Sequence, residues 1–174
     1  EKLDTATGFK QSAFQAMINL WELEDPTTTI LEGQEVEVLT EISGVAIKGF
    51  IDRIAFGADG KVVISDYKTG KVPDPKYVAD DQKWFQLLAY ALMLKEAQQK
   101  TTSTLELFYL SKKVKHTVMV TQENLDNARQ VVVRTRASID ESSTSGQFSC
   151  NVTNLCDWCY YKKINVCPAH SKQV

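Results

Sequence analysis

Histidine is scarce in this chain of 174 residues, and cysteine is missing from most of it: there are two histidines, and the four cysteines all lie after position 149. His116 sits in a strand-like run and His170 near the end. Both read as ordinary surface residues, so an imidazole-based metal site is not expected. With no cysteine in the body and nothing resembling a secretory signal, a disulfide framework is the weaker reading, and a domain this size folds without staples. No apolar run approaches the roughly 20 residues needed to cross a bilayer. Excess positive charge is lacking too: the net charge is −2, which by itself gives no electrostatic footprint of a nucleic-acid binder. There is no internal repeat, and low complexity is confined to residues 141–146 (Glu-Ser-Ser-Thr-Ser-Gly), which read as a linker. What remains is ordinary for one compact globular core, 43% hydrophobic and 24% charged.

Within that core, two acids and a lysine recur on strands that short turns fold together. Residues 45–54 and 61–68 are β-branched and apolar, and residues 57–60 (Gly-Ala-Asp-Gly) separate them as a hairpin turn. Pairing about residue 59 sets Asp52 opposite Asp66. Directly opposed side chains have β-carbons roughly 4.5–5.5 Å apart, and like charges so placed are destabilising unless neutralised. A divalent cation is the obvious neutraliser. Ser43-Gly44 reads as a second, two-residue hairpin loop, whose register sets Glu35 opposite Asp52 and gathers Val36, Val38, Thr40 and Ile42 with Ile51, Gly49, Ile47 and Val45. A one-residue slip would bury glutamates, so the pattern favours this pairing. Glu35, Asp52 and Asp66 then lie side by side as candidate metal ligands, with Glu37 able to replace Glu35 if the register shifts. Lys68, two residues beyond Asp66, shares its face. Carboxylate oxygens suit Mg²⁺ or Mn²⁺, which activate a bound water, while Lys68 steadies charge developing on a phosphate.

The flanking segments supply scaffold. Phe14, Ile18 and Trp21 recur at helical spacing, and Asp25-Pro26 ends that helix, so the aromatics are expected in the core. Around residue 86, Trp84, Leu87, Leu88, Ala91 and Leu94 make an apolar stripe beside a polar one of Gln82, Gln86 and Tyr90. Gln86 and Tyr90 could hydrogen-bond phosphate or metal-bound water if this helix packs on the acidic strands; Gln82 reads as surface. Two strands, 105–110 and 114–120, precede a helix capped by Thr121 and running to about residue 138, with Leu125, Ala128, Val132 and Ile139 inward. Lys68, Lys71, Lys76 and Lys83, or Arg129, Arg134 and Arg136, could track phosphates, although charge runs are usually solvated. The order of elements gives an α/β fold with a mixed central sheet flanked by helices.

The cysteines form a second constellation. Cys150, Cys156, Cys159 and Cys167, the last followed by Pro168, fall within 18 residues. Four thiolates fit either structural Zn²⁺ or an iron–sulfur cluster, and the Cys-Pro ending favours the latter. Cys150 is the local fourth ligand, or else a free thiol. The expected role is structural, pinning residues 147–174 to a core of residues 1–146.

Three segments, 49–54 (Gly-Phe-Ile-Asp-Arg-Ile), 63–70 (Val-Ile-Ser-Asp-Tyr-Lys-Thr-Gly) and 86–91 (Gln-Leu-Leu-Ala-Tyr-Ala), resemble in order and spacing the PD-(D/E)XK nuclease superfamily, in its RecB-like exonuclease branch. The resemblance implies a restriction-endonuclease-like core with Asp52 and Asp66 as metal ligands and Lys68 as the catalytic lysine. Glu35 matches an acid on the preceding strand, and Gln86 and Tyr90 the family's helix motif. It also implies a C-terminal [4Fe-4S] cluster, with Zn²⁺ as the alternative. The expected activity is Mg²⁺- or Mn²⁺-dependent DNA cleavage in recombination, repair or phage DNA processing. The implied partners are DNA, single-stranded or with single-stranded ends, and a helicase or other recombination subunit. The implied setting is cytoplasmic, with no membrane. The branch's upstream helix bearing a further His or Glu ligand has no match here, and the chain opens on Glu1, so a fragment lacking an N-terminal helical part is expected. A non-catalytic DNA-binding or scaffolding subunit of a helicase–nuclease complex is the alternative.

Overall fold

The computed structural model describes residues 6–73 and 82–170. Its order is α1 (Ala6–Leu23), β1 (Leu31–Ile42), β2 (Val45–Phe56), β3 (Val62–Lys68), α2 (Gln82–Gln98), β4 (Thr102–Tyr109), β5 (Val114–Met119), α3 (Gln122–Ser145) and a short α4 (Tyr160–Lys163). Strands β1 to β5 form one sheet in sequence order. All neighbours are antiparallel except β3 and β4, which are parallel and joined through α2. The sheet is therefore mixed, as the element order predicts. No helix among the described residues is long and apolar enough to cross a membrane.

Both hairpin registers follow from turn chemistry. Ser43 and Gly44 have φ of 49° and 84°, the paired positive values of a two-residue turn matched to strand twist. From that turn Ile42 pairs with Val45, Val38 with Gly49, and Val36 with Ile51. At the next turn the Gly57 N–H donates to the Lys61 carbonyl at 2.9 Å, and Gly60 takes a φ of 72°. Phe56 then pairs with Val62 and Arg53 with Ser65.

Alternation along β2 is broken where it matters most. Ile51 and Ile54 are three residues apart, yet both are buried in the core cluster with Val38, Ile42, Val62, Ile64, Leu105 and Leu107. A regular strand would send them to opposite faces. Asp52 lies at this break, and the regular β2–β3 pairing stops at Arg53.

Helix α2 covers this apolar face. Trp84, Leu87, Ala91 and Leu94 are buried as the stripe predicts, and Leu92 and Met93 are buried as well. Gly49 allows the close approach, since a β-carbon there would sit 2.6 Å from Cε1 of Tyr90. The other sheet face is polar. Arg53, 5% exposed, lies 2.7 Å from Oε1 of Glu24 and 3.8 Å from Oε2 of Glu106, and it donates to the Tyr67 hydroxyl at 3.3 Å. Glu106 also accepts from Ser65 and pairs with Lys115 at 3.1 Å.

Three expectations are corrected. Phe14 and Trp21 are 61% and 59% exposed, because α1 is tied down through Asn19, which donates to the Leu110 carbonyl at 2.6 Å, rather than through its aromatic stripe. The Ser/Thr-rich residues 141–145 are helix, not linker: α3 runs to Ser145 and stops at Gly146, with φ 68°. Of the residues expected inward on α3, Leu125, Ala128 and Val132 are buried, whereas Ile139 is exposed. The chain divides into two compact units, Glu1–Arg134 and Thr135–Val174, the division falling within α3.

The Arg53 network yields a stability prediction. Removing one partner of a buried ion pair leaves uncompensated charge, so Arg53→Ala should cost about 3–5 kcal/mol in urea unfolding. Burial raises the Glu24 carboxyl, but Arg53, with a smaller contribution from Thr29, outweighs it and holds the group below its ordinary value. Glu24 therefore stabilises the fold above the unfolded carboxyl range, about pH 4.3, and loses this contribution as pH falls through its lowered folded value. Arg53→Ala should flatten that part of the acid-unfolding curve.

Candidate functional site

The predicted residues meet where β2 and β3 end their pairing under α2. Asp66 is only 4% exposed, on the apolar face that α2 covers. Its Oδ2 lies 2.7 Å from Nζ of Lys68, two residues along the same strand. Asp52, one step beyond the last β2–β3 pair, accepts a hydrogen bond on Oδ2 from the Tyr67 N–H at 3.2 Å. Tyr67 is anchored in turn by Arg53, so the polar network on the opposite face holds the residue that holds Asp52.

The electrostatics record how close these groups are. Burial pushes the Asp66 carboxyl above its ordinary value; Lys68 and, more weakly, Lys83 draw it down, while the charge of Asp52 adds to the rise. The group stays raised. Two carboxylates near one another, the deeper one costly to ionise, are a donor set that a hard divalent cation relieves. Mg²⁺ binds through one or two carboxylates and completes its shell with water and phosphate. The residues present therefore fit Mg²⁺ or Mn²⁺.

Helix α2 brings its polar stripe to the same region. Gln86 Nε2 donates to the Tyr90 hydroxyl at 3.0 Å, and Tyr90 packs over Gly49. The side chain of Gln82, and Lys76, fall outside the described residues. Lys83, in the first turn of α2, places Nζ 3.4 Å from the Tyr109 hydroxyl.

Glu35 does not join the acids. Its φ is 49°, it is exposed, and the β1–β2 register passes from Gln34↔Arg53 to Val36↔Ile51 without an aligned Glu35↔Asp52 pair. A left-handed residue turns its side chain out of the alternation on which the register reading depended. Among the described residues, no group of three or more His, Cys, Asp or Glu side chains is gathered to hold a metal ion.

The same statement covers the cysteines. All four are free thiols, with Cys150 exposed and Cys156, Cys159 and Cys167 half-buried. Thr153 begins a turn over Asn154–Trp158 and donates its N–H to Cys156 Sγ at 3.4 Å. The Lys162 ammonium pairs with Asp157, between Cys156 and Cys159 in sequence, at 2.7 Å. As placed, they do not form a four-thiolate shell. The candidate basic residues are partly spoken for: Arg129 pairs with Glu96 and Arg136 with Asp140.

Several site neighbours escape a residue-by-residue reading. Arg53 and Tyr67 had a signal, each flanking a predicted acid. Tyr109 had none, because it stands beside Lys68 only through the parallel β3–β4 register that α2 makes possible. A cleft of about 370 Å³ on the opposite face, lined by Glu24, Arg53 and Glu106 among others, sets two carboxylates against one guanidinium and has nothing to select an anion.

A buried and a half-buried acid beside a lysine at the end of a mixed sheet, covered by a helix bearing Gln and Tyr, define a nuclease-like α/β architecture. Comparison with family models matches residues 3–168 to the PD-(D/E)XK nuclease superfamily, and the chain belongs to that superfamily. Among solved structures it is similar to the protein SSO0001, at 20% identity and a TM-score of 0.52, covering 95% of this chain and 72% of that one. It is also similar to "Putative exonuclease" from Eubacterium rectale, at 15% identity and a TM-score of 0.56, covering 87% of this chain and 60% of that one. At these identities the likeness concerns the fold. Comparison with curated proteins gives no match.

Two predictions come from this geometry. Asp66 is harder to ionise folded than unfolded, so its contribution to stability is lost as pH rises from about 3.9, the unfolded value, through its raised folded value. Asp66→Asn should therefore raise the Tm of the metal-free protein at neutral pH, as read by thermal unfolding in EDTA, and the gain should shrink as pH falls towards the unfolded value. Gly49→Ala must displace Tyr90, and should cost about 1–3 kcal/mol through overpacking while lengthening the Gln86–Tyr90 contact. A crystal structure of that variant with the ring unmoved would contradict this account.

Proposed function

We propose that this protein is a Mg²⁺- or Mn²⁺-dependent deoxyribonuclease, acting as an exonuclease on single-stranded DNA or single-stranded ends in recombination, repair or phage DNA processing. The observation that carries the reading is the convergence of Asp66, Lys68 and Asp52 under α2, with the Asp66–Lys68 contact at 2.7 Å. Superfamily membership supports the same chemistry.

Asp52 and Asp66 would hold the cation, water and phosphate completing its shell, since Glu35 is turned out of the strand alternation. When bound, the ion would lower the pKa of an attacking water and neutralise charge on the phosphate. Lys68 has a separate task. Its ammonium, fixed beside Asp66, stabilises negative charge that grows on the non-bridging oxygens as the nucleophile adds to phosphorus. Gln86 and Tyr90, already bonded to each other, present an amide and a phenol to the phosphate or to an attacking water. The Tyr67 N–H keeps one Asp52 oxygen oriented.

The C-terminal segment takes no step in this chemistry. Its Cys-x2-Cys spacing and Cys-Pro ending support a structural [4Fe-4S] cluster, with Zn²⁺ as the alternative. Iron, sulfide and zinc contents of an anaerobic preparation decide between them, zinc without iron removing the cluster.

The decisive assay incubates the protein with single- and double-stranded DNA and Mn²⁺. Asp66→Ala and Lys68→Ala should each lower cleavage by about 10²–10³ or more, the scale of losing one transition-state-stabilising group. Equal DNA loss from wild type and both variants would exclude the assignment. No cleavage by wild type would leave a non-catalytic DNA-binding subunit, acting beside a helicase, as the better description.

A further inference from the structure

We infer that Lys83 is a second phosphate-contacting cation of this site, sharing the reacting phosphodiester with Lys68; the inference rests on the nuclease reading above. Lys83, Gln86 and Tyr90 are spaced i, i+3, i+7 on α2, so the lysine belongs to the helix face that carries the site's polar pair. Its ammonium is held in place. Nζ lies 3.4 Å from the Tyr109 hydroxyl, to which it donates, and 5.5 Å from the centroid of the same ring. Tyr109 is fully buried, with His116 packed edge-on against it at 5.5 Å and 82°. In the parallel register Tyr109 is the partner of Lys68. The ring therefore sets the Lys83 ammonium next to the strand position of the catalytic lysine.

Local preference does not explain this placement. A cation in a helix's first turn opposes the helix dipole, where Asp or Glu would be favoured. The charge balance of the reaction does explain it. Two aspartates and a divalent ion cancel, leaving Lys68 to match the single charge of a phosphodiester. Addition of hydroxide to phosphorus creates a second negative charge before the leaving oxygen departs with one. A second fixed ammonium matches that growing charge, and Lys83 is the lysine that α2 delivers from across the site.

The test is binding as well as cleavage. Wild type, Lys83→Gln and Lys83→Arg are titrated onto a fluorescent single-stranded oligonucleotide with Ca²⁺ in place of Mn²⁺, across a salt series. Lys83→Gln should bind about tenfold more weakly and lower the slope of log K against log salt by about 0.7, the value of one phosphate contact on a single strand. Lys83→Arg, keeping the charge, should retain that slope. With Mn²⁺, Lys83→Gln should lower kcat more than it raises KM. Affinity and slope of Lys83→Gln within error of wild type would overturn the inference, as would an equal slope loss in Lys83→Arg. Wild type that binds but cuts nothing, with the Lys83→Gln binding loss intact, would overturn the nuclease reading and keep the phosphate contact. No oligonucleotide binding by wild type would remove both.

Discussion

The structure is organised around the cost of keeping a charged carboxylate, Asp66, on the buried face of a sheet. Every neighbour bears on that cost. Val62 and Ile64 precede Asp66 on the same face and are buried, which desolvates it, while Lys68 on one side and Asp52 on the other pull its ionisation in opposite directions. A carboxylate so placed binds a cation more favourably than a solvated one would, because the cation relieves a penalty that folding has already imposed.

Asp52 reaches this position through an irregularity. The burial of both Ile51 and Ile54 shows that β2 changes its facing across two residues, and the change frees Asp52 from the ladder to accept from the Tyr67 N–H. The polar face of the sheet completes the arrangement. Arg53, which follows Asp52, is locked between Glu24 and Glu106 and bonded to Tyr67, so each acid of the site is followed in sequence by a residue of one buried network. Support and chemistry occupy opposite faces of the same strands. The ion pairs near the site thus set orientation as well as contributing to stability.

Much of this was legible from residue order alone. Turn residues at Ser43-Gly44 and residues 57–60 set both hairpin registers, and the structure follows them from Val36↔Ile51 to Ile42↔Val45 and from Arg53↔Ser65 to Phe56↔Val62. The apolar stripe of α2 was readable because a helix packed on a sheet must bury a continuous face. Glu35 was misplaced because register arithmetic assumes unbroken alternation, and one left-handed residue cancels it. The aromatic stripe of α1 was misread for a related reason: spacing shows that residues share a face, not that anything covers it. Ser and Thr in residues 141–145 suggested a linker, yet the helix already begun at Gln122 propagates through them, since extending a helix costs far less than starting one.

What the sequence determined by itself were the local quantities: which residues turn, which strands pair, which helix face is apolar, and that Asp52, Asp66 and Lys68 belong together. Each depends on contacts within a hairpin or a few helical turns, where chain geometry leaves little choice. The tertiary structure alone decided what surrounds them. Tyr109 stands beside Lys68, Lys83 leans on Tyr109, and Glu24 and Glu106 hold Arg53 because a parallel crossover and two-sided packing bring together residues far apart in the chain. Such meetings depend on which element packs over which, and no periodicity along the chain records that choice.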